Sequence, residues 1–547
     1  MLMGGRKMNT EVIVSIIMGI LGVILIALMI RKSRKVNRNL LMVLGISFLI
    51  FAVLSWVIPV GTYSGGKLST TGISPVGLVD LVNMPISAFI TFILYGVVFA
   101  VIGGLYGVIE KTGALDMFTE RVSARYTHNG KESKFLCGTI ILLIVLSSLT
   151  GLVLPLFVLV PLFAAILFKM NYDKITVLAA TVGSLLVGNV VSTYGFNITG
   201  YTKNLLSLDM NNQIWTRLIL FVLLTILYAL IVVRSAKKGL KDVKKAEIKA
   251  EVKKEVKEAK KEIKGVKKSS KVNTTKKASK KSNTRALAVT KPVKKVSSKS
   301  EVRTAPLIVI LICMLVVAFA GMYNWYYSFG IDLFNNMHEA VMGVKIGEFA
   351  IFEKLLNGVS QFGYWSNVEF IGLMIVTSMV IGLVYKLSLN DFIEGFIAGA
   401  KKWIPTAIYA ALASMVLVVL YQALQMGSGT FVNTINGGLF GLVDGFNPFI
   451  VGVSALISGF FFNDLYYLLA ALTSFINGFD ASSMSIAGVL IQSVYGIAMM
   501  IFPTSIVLIA GLSHFDVSYK KWIKYIWRFA LIAFLLLTLV CGVLTLL

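Results

Sequence analysis

Apolar segments long enough to cross a bilayer alternate with short polar connections along most of the chain. A helix needs about 20 apolar residues to span the hydrocarbon core. Runs of this kind predict about ten membrane-spanning helices, near residues 12–30, 39–59, 86–109, 175–200, 216–234, 305–323, 369–385, 404–424, 487–511 and 526–546. The pattern therefore predicts an all-α polytopic membrane protein.

Two further apolar segments, 135–168 and 449–475, are too short for two full crossings and carry polar residues near their middle. Lysines flank the first segment on both sides, whereas the loops beside the second, 430–448 and 476–486, contain no Lys or Arg. Because basic loops stay in the cytoplasm, each segment enters and leaves on one side, the first from inside and the second from outside. They are predicted to be re-entrant helical hairpins that point at each other.

Each hairpin precedes a span that is rich in glycine and polar residues. Residues 181–200 read TVGSLLVGNVVSTYGFNITG, and residues 491–511 contain Pro503, which cannot donate a backbone hydrogen bond. Both spans are predicted to break within the membrane. The same order of elements in both halves, with five spans each, predicts an inverted repeat with both termini outside.

The predicted organisation has four parts. Residues 1–38 hold a first helix and a basic loop, 39–234 the first repeat with broken helix 175–200, 235–303 an insert, and 304–547 the second repeat with broken helix 487–511.

Charge is concentrated in the insert. The chain is 57% hydrophobic with a mean hydropathy of +0.82 and a net charge of +26, yet 235–303 alone holds 23 Lys and 2 Arg against seven Asp or Glu. Residues 246–268 are typical of a basic amphipathic helix, and 269–300 have a disordered composition. We expect a cytoplasmic linker, with attraction of 246–300 to anionic lipids as the alternative and nucleic-acid binding disfavoured.

Four stretches carry a family resemblance. GGLYGVIEKTGALDMF (103–118), LTGL followed by PLFAAILFKMNYDKITVL (149–178), SVYGIAMMIFPTS followed by SHFDVSYKKWIK (493–524) and WVIPVGTY (56–63) resemble the YfcC-like branch of the C4-dicarboxylate anaerobic carrier family (DcuC-type), part of the ion-transporter superfamily. The resemblance implies two inward-pointing hairpins, a substrate site between their tips and the broken helices, an elevator-type movement, and coupling to Na⁺ or H⁺.

The chain departs from the family pattern at the hairpin tips. Similar members carry Gly-x-Gly-Glu-Glu at the first tip and Ser-Gly-Ser-Gly at the second, where this chain has TGLVL (150–154) and FFND (461–464). Their Gly-Asp-Gly is replaced by VYG (494–496), while PTS (503–505) matches. The identities of the substrate and of the coupling ion therefore do not carry over with the fold.

Asp464 is the strongest site candidate because it is a carboxylate midway along an apolar segment, where a charge is costly unless protein or water satisfies it. Together with Asn463 it could bind Na⁺, or it could titrate with H⁺ after desolvation raises its pKa. The alternative is a shallow, wet hairpin tip at which the carboxylate is merely solvated.

The predicted substrate-binding residues lie at the two tips and the two breaks. A broken helix leaves unpaired amides, which suit an anionic group. Local capping of backbone groups and ordinary helix contacts are the alternative roles of the hydroxyls. The candidates are Ser147, Ser148, Thr150, Gly151, Ser192, Thr193, Asn197, Asn463, Pro503, Thr504 and Ser505.

The function predicted from these features is secondary active transport of a small organic solute, best a carboxylate, across the plasma membrane. An amino-acid or peptide transporter of the same fold is the alternative, and a channel or lipid scramblase is the second. Enzyme motifs are missing, since His338–Glu339 lacks the second histidine of a zinc protease. We expect no cofactor apart from the coupling ion and almost no buried Lys or Arg in the core, and a homodimer stays open.

Overall fold

The computed structural model describes residues 40–64, 67–128, 130–195, 197–239, 302–418, 420 and 429–546. Predicted helix 12–30 and most of the basic insert lie outside these ranges. In the first half the helices are α1 Leu40–Val57, α2 Asp80–Thr112, α3 Ala114–His128, α4 Glu132–Thr150, α5 Val153–Leu156, α6 Leu159–Lys169, α7 Lys174–Leu178, α8 Ser184–Val190, α9 Lys203–Leu206 and α10 Ile214–Gly239. The π-helical turn Ala179–Gly183 joins α7 to α8, and a second, Asn197–Thr202, precedes α9.

The second half repeats this helical character. Its helices are α11 Ala305–Met322, α12 Trp325–Phe329, α13 Leu333–Met342, α14 Ile351–Leu355, α15 Asn367–Val384, α16 Leu389–Leu412, α17 Phe431–Phe440, α18 Pro448–Phe461, α19 Leu465–Ile476, α20 Ala481–Ile501, α21 Ile506–Phe515 and α22 Tyr519–Leu544. Among the described residues, strands form two small hairpins, β1 Gly61–Ser64 with β2 Lys67–Thr70 and β3 Lys345–Ile346 with β4 Phe349–Ala350.

Eight helices in the described ranges are long and apolar enough to cross a membrane, and four shorter apolar helices accompany them. The chain is therefore an all-α polytopic membrane protein, as the hydrophobic pattern predicts. The eight helices include most of the predicted spans, with α20 and α21 counted together as Ala481–Phe515.

Both predicted hairpin segments are helical and turn at their polar positions, although α4 of the first is itself one of the eight span-length helices. In hairpin 1, α4 stops at Gly151, whose φ of 69° is the left-handed conformation that glycine adopts at helix ends, and α5 and α6 return. In hairpin 2, α18 ends before Phe462, and Asp464 caps the start of α19. The polar positions in these apolar segments are thus turns.

Both predicted breaks also occur. Helix α8 ends at Val190, and residues 191–195 (break 1) are not helical. Helix α20 ends at Ile501, Phe502 takes an extended conformation before Pro503, and α21 restarts at Ile506 after residues 502–505 (break 2). Proline disfavours the helical geometry of its predecessor and cannot donate a backbone hydrogen bond, which is consistent with the position of break 2.

The most extensive helix contact in the described residues joins α2 to α16. Their backbones touch at glycines: a methyl group at Gly107 would overlap the carbonyl oxygen of Gly395, and one at Gly399 would overlap that of Gly103. Close backbone approach of this kind is how membrane helices pack without bulky side chains. Helices α2, α11, α15 and α16 form one group, the glycine bundle.

The sequence interpretation of α16 is wrong in one respect. The predicted span 404–424 begins far earlier, because α16 runs from Leu389 to Leu412 as one helix with Pro405 inside it. The amphipathic stretch 388–402, which the sequence predicts as a separate interfacial helix, is therefore continuous with the apolar one, and its glycine face packs along α2.

Hairpins 1 and 2 pack with α7, α8 and α20–α22 into a second group, the hairpin bundle. The two bundles meet where α16 contacts α21: Trp403 stacks on His514 with ring centroids 4.2 Å apart, and the Thr406 hydroxyl lies 2.9 Å from that of Ser513. Tyr106 of α2 also donates to the carbonyl of Val158 in hairpin 1, at 2.6 Å.

Candidate functional site

A cavity of about 540 Å³, cavity 1, lies between the two bundles. The tips of both hairpins reach it, through residues 151–155 of hairpin 1 and Asn463 and Asp464 of hairpin 2. The opposite wall comes from the glycine bundle and includes Tyr95 of α2 and residues 363–367, where α15 begins. The hairpins thus converge on one cavity, as the loop charges predict, and helices on both sides enclose it.

A second cavity of about 280 Å³, cavity 2, adjoins the first. The walls of the two cavities share Tyr95, Asn463, Asp464 and Ile506. Three more tyrosines line cavity 2, and Ser414 adds a hydroxyl; the tyrosines are Tyr201, Tyr466 and Tyr467. Asp464 therefore stands at the junction of a mixed chamber and a polar aromatic one.

Asp464 is the sole Asp or Glu in the described walls of either cavity, and these walls contain no Lys, Arg or His. The side chain is half-buried, and one carboxylate oxygen accepts the backbone N–H of Tyr466 at 2.9 Å. This bond is the N-cap of α19, and it fixes the carboxylate at the hairpin tip. The carboxylate thus brings negative charge to the chamber.

Asn463 ties hairpin 2 to break 2. Its side-chain amide donates to the carbonyl oxygen of Thr504 at 2.9 Å and to the hydroxyl of Ser414 at 2.7 Å, while its own carbonyl accepts from Tyr495 at 2.9 Å. Its side-chain oxygen and the hydroxyl of Thr504 are buried without a hydrogen-bond partner among the described residues. Two oxygens that can bind a cation therefore lie on Asn463, the chain neighbour of Asp464, and on Thr504, to whose backbone Asn463 is bonded.

Break 2 opens towards cavity 1. Residues 505–507 line the cavity, so the first turn of α21 faces it, and Ser505 caps this helix by accepting the N–H of Leu508 at 3.3 Å. The remaining first-turn amides carry the positive end of the helix dipole. Ser505 lines the cavity, whereas Pro503 and Thr504 are buried and lie outside both walls.

The hydroxyls of the first half serve the backbone. Ser147 donates to the carbonyl of Leu185 at 2.7 Å, Ser148 donates to that of Val191 at 2.7 Å, and Thr150 donates within its own helix to Leu146 at 2.7 Å. Ser192 and Thr193 also bond to Ser148. None of these five residues lines cavity 1 or 2, so the structure shows them bonding to local backbone groups. Of the candidates at the tip of hairpin 1, Gly151 alone lines cavity 1. Asn197 opens the second π turn, and its side chain lies outside the described residues.

Arg217 is a residue that the sequence interpretation missed. Arg217 is an exception to the expected near absence of buried Lys and Arg: it is only 2% exposed, and its guanidinium donates to the carbonyls of Thr193 in break 1 and of Met210. In the sequence it stands near the start of a predicted span, where an arginine normally reaches the interface. Its proximity to Trp215, which is 77% exposed, gave no sign of burial.

Sequence comparison agrees with the family signal. A family model described as "C4-dicarboxylate anaerobic carrier" (DcuC) matches residues 38–547. The chain belongs to this carrier family. It is therefore a membrane transporter of the carboxylate-carrier type.

Other comparisons add little. No curated protein sequence matches this carrier. Among solved structures, the YdaH transporter of Alcanivorax borkumensis aligns over 92% of this chain and 98% of its own, with 13% identity and a TM-score of 0.33.

Proposed function

We propose that this carrier moves a small organic carboxylate across the plasma membrane by secondary active transport, coupled to Na⁺ or H⁺ at hairpin 2 or by exchange. The observation that carries the proposal is the position of cavity 1, which both hairpin tips and the start of α21 reach from one side and the glycine bundle closes from the other. A solute there contacts both bundles. Relative movement of the bundles, of the elevator type, would expose it to alternate sides.

A carboxylate in cavity 1 would meet the amides at the start of α21, which favour negative charge. Asp464 opposes an anion unless a cation accompanies it. Asn463, the chain neighbour of Asp464, and Thr504, which Asn463 contacts, have side-chain oxygens without a partner among the described residues, and a hard cation such as Na⁺ takes oxygen ligands. Binding of the anion and of the cation would then support each other, which is the physical basis of coupled transport.

A second candidate is a carrier of amino-group-bearing solutes such as amino acids or peptides. Cavity 2 favours it, since four tyrosines and Asp464 surround a space in which no basic side chain lies among the described walls. An ammonium group is attracted both to a carboxylate and to aromatic faces. The carboxylate end of such a solute could still reach the start of α21 in cavity 1.

Finer features of the proposal rest on the sequence. The motifs favour the YfcC-like branch, and the loop charges favour an inverted repeat with the basic insert in the cytoplasm. The order of hairpin and broken helix, which recurs in both halves, supports the repeat.

The test is uptake into proteoliposomes with radiolabelled dicarboxylates, monocarboxylates, amino acids and peptides, each under imposed Na⁺ and proton gradients. Saturable uptake of one carboxylate class, competed by its unlabelled form, is the expected result. Preference for amino acids would select the second candidate. Solute-independent ion flux or lipid flip-flop would contradict both, because it would indicate a channel or scramblase.

A further inference from the structure

Arg217 is a buried cation near the start of the membrane-spanning helix α10. No ion pair of the described residues includes it, and its Nε is buried without a hydrogen-bond partner there. A charge at such a place is expensive and persists in membrane proteins mainly where it has a function. The charge therefore calls for an explanation beyond helix packing.

Two terminal nitrogens of Arg217 reach backbone carbonyls. One donates to Thr193 in break 1, and the other donates to Met210 in the loop before α10. Residues in a break have lost their helical hydrogen bonds, so their carbonyls need other donors. A planar guanidinium with donors in a fixed fork can hold two carbonyls at once, which a lysine cannot do with the same geometry.

The next carbonyl of break 1 is also held. Tyr323 donates from its hydroxyl to the carbonyl of Tyr194 at 2.5 Å. Tyr323 is 1% exposed and follows α11 of the glycine bundle, between two residues that line cavity 1. Consecutive carbonyls of break 1 are thus fixed by a side chain of α10 and by that of the residue following α11.

Break 1 is in turn bonded to the tip of hairpin 1. The Thr193 N–H donates to the carbonyl and the hydroxyl oxygen of Ser148, each at 3.1 Å. A Cβ added to Gly195 would lie 3.0 Å from the Cα of Gly151, so the two backbones are in close contact. Since Gly151 lines cavity 1, a shift of Thr193 would be transmitted to the cavity wall.

We propose that Arg217 is a positioning residue for transport, which holds break 1 in the conformation that sets the hairpin 1 wall of cavity 1. It acts through Thr193 and Ser148 and does not touch the solute. The inference rests on the proposed function only in taking cavity 1 as the solute site.

The first experiment needs no solute. Hydrogen–deuterium exchange is measured on the full chain in lipid nanodiscs for the wild type, Arg217→Lys, Arg217→Met and the control Arg234→Met, which removes an exposed arginine at the other end of α10. Arg217→Met should speed exchange about tenfold in 191–195 and 149–153 and leave 462–465 unchanged. Arg217→Lys should lie between it and the wild type. Unchanged exchange in 191–195, or the same increase in Arg234→Met, would overturn the proposal.

The second experiment measures uptake of whichever solute the wild type transports. Arg217→Lys and Tyr323→Phe should raise KM, by about tenfold for Arg217→Lys, with the maximal rate nearly kept, because the wall is displaced while the moving parts are intact. An equal loss of maximal rate with unchanged KM would contradict a positioning role. If the wild type transports no carboxylate, the proposed function fails, while the hydrogen–deuterium exchange result still tests the role of Arg217. If Arg217→Met does not fold, the other two variants decide.

Discussion

The side-chain amide of Asn463 lies 2.9 Å from the carbonyl oxygen of Thr504, so a hairpin tip is bonded directly to the break of a neighbouring helix. The same amide reaches Ser414 at 2.7 Å, in the segment that follows α16. One side chain thus joins three parts of the chain around the chamber that contains Asp464.

Replacing Asn463 with Ala should abolish transport. The change leaves buried polar partners unsatisfied, at a cost of about 1–3 kcal/mol, and frees the tip from break 2. Uptake and thermal unfolding of the purified carrier are the measurements. The control is Asn447→Ala, which removes the half-buried N-cap of α18, outside the walls of both cavities; it should cost about 0.5–2 kcal/mol and spare uptake. Equal uptake by both variants would show that the Asn463 bonds are not required.

Replacing Asp464 with Asn should remove the effect of the driving ion while exchange of solute persists. Asparagine caps helices as well as aspartate does, so α19 keeps its start and only the charge is lost. Gradient-driven uptake and exchange are compared at high and low Na⁺ and on both sides of neutral pH.

Asp480→Asn is the matched control for Asp464, because Asp480 caps α20 by accepting the N–H of Ser483 at 3.0 Å but is exposed. The Ser483 bonds hold the pKa of Asp480 below its ordinary value, so its ionised carboxylate stabilises the fold near neutral pH and loses that contribution in acid. Asp480→Asn should therefore lower stability slightly near neutral pH and leave the ion dependence of transport unchanged. Ion dependence that is identical in wild type and Asp464→Asn would exclude the coupling role.

Gly107→Ala should destabilise the carrier by about 1–3 kcal/mol, because the added methyl would overlap the Gly395 carbonyl and force α2 and α16 apart. Gly372→Ala, in α15, meets no atom within 4 Å and should instead stabilise it by about 0.5–1 kcal/mol. Thermal unfolding in detergent measures the change in stability of both variants. A neutral Gly107→Ala would mean that the two helices are not in backbone contact in the membrane.

The orientation is tested with single cysteines on a cysteine-free background. Ser270→Cys should be labelled from the cytoplasm and Leu442→Cys from outside, since the loop around 270 is basic and the loop around 442 contains no Lys or Arg. Leu442 is 70% exposed and suits the purpose, whereas Gly437 faces the Leu68 side chain. Labelling of both sites by an impermeant reagent in intact cells would reverse the assignment.

Deletion of residues 245–300 should leave transport intact, because its Lys-rich composition is typical of a solvated linker. Surface expression and solute uptake are measured together. Loss of uptake at normal expression would assign the insert a direct part in the cycle.

Features set by local chemistry were predictable from the sequence. Pro503 fixes break 2, and the turn residues Gly151 and Asp464 mark both tips, since each imposes a backbone geometry on its neighbours. Features set by distant contacts were not. The length of α16 depends on glycines of α2, and the burial of Arg217 depends on the carbonyl of Thr193, 24 positions away in the chain.

The candidate site divides in the same way. Asn463, Asp464, Ser505 and Gly151 reach the cavities. The hydroxyls of Ser147 and Ser148 instead donate to carbonyls of Leu185 and Val191, which come close only once α4 packs against α8. The part of the cavity 1 wall that the glycine bundle supplies could not be predicted from the sequence, because loop residues such as those at 363–367 carry no periodic pattern.

Trp365 forms part of that wall, with its indole N–H donated to the carbonyl of Ser360 at 2.7 Å. Indole emission depends on the polarity around the ring, and a solute in cavity 1 would exchange water for organic surface beside it. The carrier therefore contains an intrinsic fluorophore at its chamber. A titration of the unlabelled protein, with Trp365→Phe as the blank, would give solute affinity without any transport assay.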